Sequence, residues 1–158
     1  MEYRMSEGEA RKITLDGERP VSWNTYYAGS HWSIRDKEAK RVHALVRAAL
    51  DPELEPFTGR VSIQITAYVK NKPMDCDNLA GKLYVDGLKG WVIDDDTPDY
   101  IESVTTRVEI DPLPRLEIIV KQTGSTFRYS CICCGRLWPT AKIKRSHERN
   151  MGAREQRD

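Results

Sequence analysis

Asp75 and Asp77 stand one residue apart in Met74-Asp75-Cys76-Asp77-Asn78, and three consecutive acids, Asp94, Asp95 and Asp96, follow before Thr97-Pro98. On an extended backbone alternate residues share a face, so the first two carboxylates are expected to converge beyond a strand end. Like charges held that close do not both stay ionised unpaired, and a divalent cation removes the penalty. Hard carboxylate oxygens select Mg²⁺ or Mn²⁺ over thiol-seeking metals. Such ions activate a water and stabilise phosphoryl oxygens during in-line attack. Lys82, on the helix expected to begin beside Asp77, adds a positive charge for a phosphate or a leaving group. A plainer arrangement accounts for the same residues: Asp77 or Asn78 caps a helix, and Asp94 to Asp96 form a solvated turn.

The elements that must position these residues follow from periodicity. Residues 61–69 alternate, with Val61, Ile63, Ile65, Ala67 and Val69 on one side and Ser62, Gln64, Thr66 and Tyr68 on the other, which predicts a strand ending just before the first carboxylates. A helix from about Asn78 to Lys89, stopped by Gly90, separates the two acid clusters, and a helix plus a short return brings the second cluster back to the same sheet edge. Upstream, Ile13 and Leu15 predict a short strand ending at Asp16-Gly17, and residues 18–33 read as aromatic and irregular. Ala39, Val42, Leu45, Val46, Ala49 and Leu50 give a second helix over 34–50, with Ser33 as its expected N-cap. Its outer face carries Lys37, Lys40, Arg41 and Arg47, a stripe that suits either phosphates or plain solvation. Strands are expected over 100–110, with Val104, Val108 and Ile110 on one face, and over 115–121, joined by Asp111-Pro-Leu-Pro as a hairpin. The expected fold is α+β: a mixed four-stranded sheet with two helices on one face.

The chain has 158 residues and a formal net charge of +1, divided unevenly. Residues 1–120 carry 16 Lys and Arg against 21 Asp and Glu, whereas residues 121–158 carry 9 against 3. An acidic body with a basic tail suits a partner of nucleic acid, and equally a solvated extension. Apolar runs such as Ile118-Ile119-Val120 fall far short of the roughly 20 residues of a membrane span, and Met1-Glu2-Tyr3-Arg4 leads into no apolar stretch, so neither a membrane protein nor a secreted one is expected. Cys131, Cys133 and Cys134 crowd together while Cys76 stands alone, a usage that suits metal or reduced thiols in the cytoplasm better than a disulfide framework. Cys131 and Cys134 form Cys-x-x-Cys-Gly, and His147 follows thirteen residues later, a candidate zinc knuckle with Cys133 as the alternative final ligand. Incidental thiols on a basic tail explain the same residues.

Asp75-Cys-Asp77-Asn78-Leu79, a lysine shortly before Asp86-Gly-Leu88, and Asp95-Asp96-Thr97-Pro98 together resemble the RusA-type Holliday-junction resolvases, small endodeoxyribonucleases frequent in phages and prophages. The resemblance runs from the first strand and Pro20-Val-Ser-Trp-Asn24 to about Lys121, so the chain divides into an endonuclease-like domain, 1–122, and a basic Cys-containing tail, 123–158. It implies a Mg²⁺-dependent homodimer, with Mn²⁺ as a substitute, that cuts branched DNA and uses no organic cofactor. By position Asp75 and Asp77 match the first two metal carboxylates, and Asp96 the third, with Asp95 the nearest rival. Lys82 matches the catalytic lysine, although it lies five residues after Asp77 where the simplest family pattern has four. Lys70 and Lys72 beside the carboxylates, and Lys142, Lys144 and Arg145 in the tail, are the expected DNA contacts. A binding module without catalysis and a metal-dependent hydrolase of a small phosphoester are the competing expectations.

Overall fold

The computed structural model describes residues 9–71 and 74–123, together with two short strands, β5 (Tyr129–Ser130) and β6 (Leu137–Trp138), that pair antiparallel. The zinc candidates Cys131, Cys133, Cys134 and His147, and the basic residues Lys72, Lys142, Lys144 and Arg145, lie outside the described residues.

Strand β2 (Val61–Val69) forms the middle of a four-stranded sheet because its inward side chains can be covered completely: Val61, Ile63, Ile65 and Ala67 are all essentially inaccessible. It pairs antiparallel with β4 (Arg115–Gln122), which pairs antiparallel on its far side with β1 (Ala10–Asp16). On the other side β2 pairs parallel with β3 (Ile101–Ile110), giving the order β1-β4-β2-β3 and a mixed sheet, as expected from the sequence. The inward residues of β1, β2 and β4 join Val42 and Val46 of helix α2 (Trp32–Ala48) and Leu83, Tyr84 and Leu88 of helix α3 (Gly81–Leu88) in one core. The two helices meet closely at Gly87, where an added Cβ would lie 2.9 Å from Val46 Cβ.

The expected hairpin between β3 and β4 does not form. Asp111 to Pro114 instead carries the chain across the end of β2, with the Asp111 N–H donating to Val69 O (3.0 Å) and the Gly17 N–H to Pro114 O (3.0 Å). Burial decides the order: β2 and β4 have the apolar faces worth covering, and β3, largely exposed, takes an edge. Val104, Val108 and Ile110 do share a face of β3, but only Val108 packs partly on the core, while Val104 is 45% and Ile110 65% exposed.

Helix α2 starts two residues earlier than Ser33 capping would allow. Its N-cap is His31, whose Nδ1 accepts from the Ser33 N–H. The stretch read as irregular contains a short helix, α1 (Trp23–Tyr27), capped by Ser22, so three helices accompany the sheet where two were expected. Its approach is set by a buried polar brace. Glu18 is 6% exposed and accepts two hydrogen bonds from the Arg41 guanidinium (2.8 and 3.0 Å) and one from the Tyr84 hydroxyl (3.2 Å), which itself accepts from the Val21 N–H. Arg41 also pairs with Glu38, so this member of the basic stripe is committed to structure and not free for phosphate.

Candidate active site at the carboxylate turn

The single helix expected from Asn78 is interrupted. Cys76–Asn78 forms a 3₁₀ turn, Leu79 is extended, and α3 begins only at Gly81. The interruption has a partner: Leu79 bridges antiparallel to Ser22, the Ala80 N–H donates to Val21 O (2.8 Å), and the Asn24 N–H donates to Asn78 Oδ1 (3.1 Å). Neither Asp77 nor Asn78 therefore caps α3; its N-cap position is Ala80, which has no side-chain cap bond. The turn is also fastened from below, where the Thr106 hydroxyl of β3 donates to Cys76 O (2.9 Å). Gly81 allows this approach, since a Cβ there would meet Thr106 Cγ2 at 3.0 Å.

Asp75 precedes the turn in extended backbone and Asp77 lies within it, so their side chains are not placed by strand alternation as expected. Both are exposed, and neither carboxylate makes a hydrogen bond or ion pair with another described residue. Lys70 is exposed directly after β2.

Asp96 has the opposite environment. Its Oδ1 accepts from Lys89 Nζ (2.8 Å) and its Oδ2 from Lys82 Nζ (3.1 Å). Lys82 also reaches Asp86 (3.0 Å), and Lys89 reaches Asp95 (3.2 Å). The hydrogen bond from Lys89, above all, holds the Asp96 carboxyl well below the usual carboxylate range; burial opposes it and Lys82 adds to the lowering. Asp86 and then Asp96 push the Lys82 ammonium up, so it stays charged. Among the described residues the Asp94 carboxylate has no hydrogen-bond or ion-pair partner, whereas Asp95 accepts from the Asp96 N–H and from Lys89.

A groove of about 400 Å³ runs beside this cluster, lined by Lys82, Asp96, Ile101, Ser103 and Val104. Val104 and Thr106 are alternate residues on one face of β3, so the turn bearing Asp75 and Asp77 and the groove bearing Lys82 and Asp96 are adjacent along the same edge strand. All-carboxylate oxygen donors suit Mg²⁺ or Mn²⁺. Asp75 and Asp77 are free to bind one, whereas Asp96 has both oxygens on lysines, and among the described residues no three acidic, His or Cys side chains are grouped to hold a metal ion.

Lys89 is the site residue that sequence reasoning missed. It lies seven residues after Lys82, two turns of the helix expected to run to Lys89, a spacing that puts both on one side and was a usable signal, although α3 itself ends at Leu88. Thr106 had no such signal, because its role depends on the fold bringing β3 under the turn. No family model matches this chain, and neither does any curated protein.

Proposed function

We propose that this chain is a Mg²⁺-dependent, structure-specific endodeoxyribonuclease that cuts branched DNA, working in the cytoplasm as a homodimer, as the RusA-type resolvases it resembles do. The observation that carries the reading is that two exposed carboxylates without a partner among the described residues, Asp75 and Asp77, and the Lys82–Asp96 pair lie along the same edge strand, β3. Two exposed carboxylates with no cationic partner among the described residues are open to a divalent cation, which would offset their repulsion from each other and from a phosphodiester. Asp75 and Asp77 would hold the ion, joined by Asp96 once Lys89 or Lys82 gives up one of its oxygens, and the ion would supply charge neutralisation at the phosphate and an activated water. Lys82, kept positive by Asp86 and Asp96, is placed to neutralise a phosphate oxygen or the departing oxygen. The turn itself is held rigid by Thr106, Asn24 and Val21, so the first two carboxylates are positioned before substrate arrives. A four-way junction has two-fold symmetry, and a C2 dimer presents two such sites for paired cuts. Among the described residues no helix is long and apolar enough to cross a membrane.

A binding module without cutting is the second reading, favoured by the two lysines on Asp96, which leave free only two of the three expected metal carboxylates. Cleavage of a synthetic four-way junction with and without Mg²⁺, alongside gel-shift binding, separates the two. Asp75→Asn and Asp77→Asn should each lower cutting by orders of magnitude while junction binding persists, because shape is kept and a metal-binding charge is lost. Binding by the wild type with no cutting in Mg²⁺ or Mn²⁺ selects the module. Near wild-type cutting by either variant refutes the metal assignment.

A further inference from the structure

Across the Asn24–Asn78 contact from the carboxylate turn lies a second and larger groove, of about 740 Å³, between α1 and the first turns of α2. Arg19, Arg35 and Lys37 line it, together with Tyr26 and Ile34. Its remaining charged residues, Glu38 and Arg41, pair with each other. Arg19, Arg35 and Lys37 have no carboxylate partner among the described residues, so the groove is cationic within a body whose overall balance is acidic. Long side chains with no acid to hold them gain little for the fold, and a polyanion is the partner that would use them.

The same segment exposes large apolar surface. Tyr27 is 58%, Trp32 65% and Ile34 58% exposed, three of the largest exposures among the apolar side chains, and all fall within eight residues. Trp23 stacks on one face of Tyr27 (centroids 5.6 Å apart, planes 18° from parallel), and the Arg35 guanidinium stands 5.3 Å from its ring centroid, while more than half of the residue stays exposed. Trp32 lies against His31, with centroids 5.5 Å apart. Braced aromatic faces beside free cations are what an unpaired nucleic-acid strand requires, because phosphates take the cations and bases stack on the rings. A duplex offers the same phosphates but keeps its base faces covered, so it would leave Tyr27 and Trp32 unused.

We propose that the groove between α1 and α2 binds unpaired nucleotides of a nucleic-acid strand, with Arg19, Arg35 and Lys37 on phosphates and Tyr27 and Trp32 stacking bases. The inference rests on the reading of the neighbouring turn as a DNA-cutting site and deepens it: the strand is unpaired where it crosses the enzyme, and the paired arms lie elsewhere. Bridging of Ser22 to Leu79 and of Asn24 to Asn78 makes groove and turn one mechanical unit, so a strand held in one is registered against the other.

The test uses the full chain and fluorescence anisotropy with three labelled probes: oligo(dT) of twelve nucleotides, an abasic oligomer of the same length, and a blunt duplex of matched phosphate number. Wild type should prefer oligo(dT) to the abasic oligomer by at least about fivefold, the lower range for one base stack. Trp32→Ala should remove most of that preference and Trp32→Phe should restore it, while Arg35→Ala combined with Lys37→Ala should weaken both single-stranded probes and flatten their salt dependence. These side chains are exposed or half-exposed, so thermal unfolding should change little. Equal affinity for oligo(dT) and the abasic oligomer, a preference for duplex, or unchanged binding by these variants each overturns the proposal. Junction cutting is scored separately: a wild type that binds oligo(dT) through these residues yet cuts no junction refutes the nuclease reading and leaves the groove, whereas a wild type that cuts with no loss in the variants does the reverse.

Discussion

Tyr84→Phe removes one oxygen from the centre of the molecule and leaves the ring volume intact, so its cost reports the polar brace alone. Tyr84 is fully buried, and burial pushes its hydroxyl above the ordinary phenol range, so it is a neutral donor at any working pH. The hydroxyl donates to Glu18 Oε1 and accepts from the Val21 N–H, both at 3.2 Å. In the variant Glu18 keeps its two bonds from Arg41, but the Val21 N–H loses its partner in a site where Val21 is only 8% exposed. An orphaned buried donor costs about 1–3 kcal/mol, and the remaining carboxylate is still satisfied, so the expected loss is about 2 kcal/mol. With a urea m-value of about 2 kcal/mol/M, the unfolding midpoint should fall by about 1 M at unchanged slope. Tyr27→Phe, an exposed residue whose hydroxyl has no hydrogen-bond partner among the described residues, serves as the control and should stay within about 0.5 kcal/mol. A loss below about 0.5 kcal/mol in Tyr84→Phe would show that water or backbone movement replaces the hydroxyl, and would refute the brace as the reason residues 18–22 sit where they do. Because Val21 O also accepts from the Ala80 N–H, the variant should lower junction cutting more than it lowers junction binding.

Three other outcomes are expected. Lys89→Ala frees one oxygen of Asp96, so the Mg²⁺ concentration for half-maximal cutting should fall severalfold, whereas Lys82→Ala should abolish cutting at every Mg²⁺ concentration; a higher Mg²⁺ requirement in Lys89→Ala would contradict competition between lysine and metal. His43 has a buried Nε2 without a hydrogen-bond partner, and burial lowers its pKa, with Asp86 opposing and Arg47 and Lys82 adding to the shift. The unfolded chain then takes up the proton first, so His43 contributes its full stability above about pH 6.5 and loses it as the pH falls toward the folded-state value; urea midpoints at pH 7.5 and 5.5 should differ more in wild type than in His43→Leu. Gly87→Ala gains about 1 kcal/mol of helix propensity but drives a Cβ to 2.9 Å from Val46 Cβ, where overpacking costs about 1–3 kcal/mol, so a net destabilisation is expected by thermal unfolding and a stabilised variant would mean that α2 and α3 separate freely.

Local pattern alone was enough to identify β2, the course of α2, and the strands on either side of Asp111-Pro-Leu-Pro, because side-chain alternation and helical spacing are properties of a segment and its own solvent boundary. The chemistry-bearing residue types were equally legible, since clustered aspartates and a lysine are visible without coordinates. Strand order was not. Asp111-Pro-Leu-Pro is short enough for a hairpin, and only the competition of β2, β3 and β4 for the covered interior sends β3 to the edge and β4 between β1 and β2. The same holds at the site. Periodicity joins Asn78 to Lys89 in one helix, but pairing of Leu79 with Ser22 and the hydroxyl of Thr106 break it into a turn and a helix, which exposes Asp75 and Asp77 as unpaired groups. Asp96 between Lys82 and Lys89, and the cationic groove beside α1, are likewise products of contacts between segments distant in sequence. Residue types and their spacing single out the side chains suited to a cation or a phosphate. Which of them are neutralised by neighbours and which are left free follows from contacts across the fold, because charges distant in sequence meet only there.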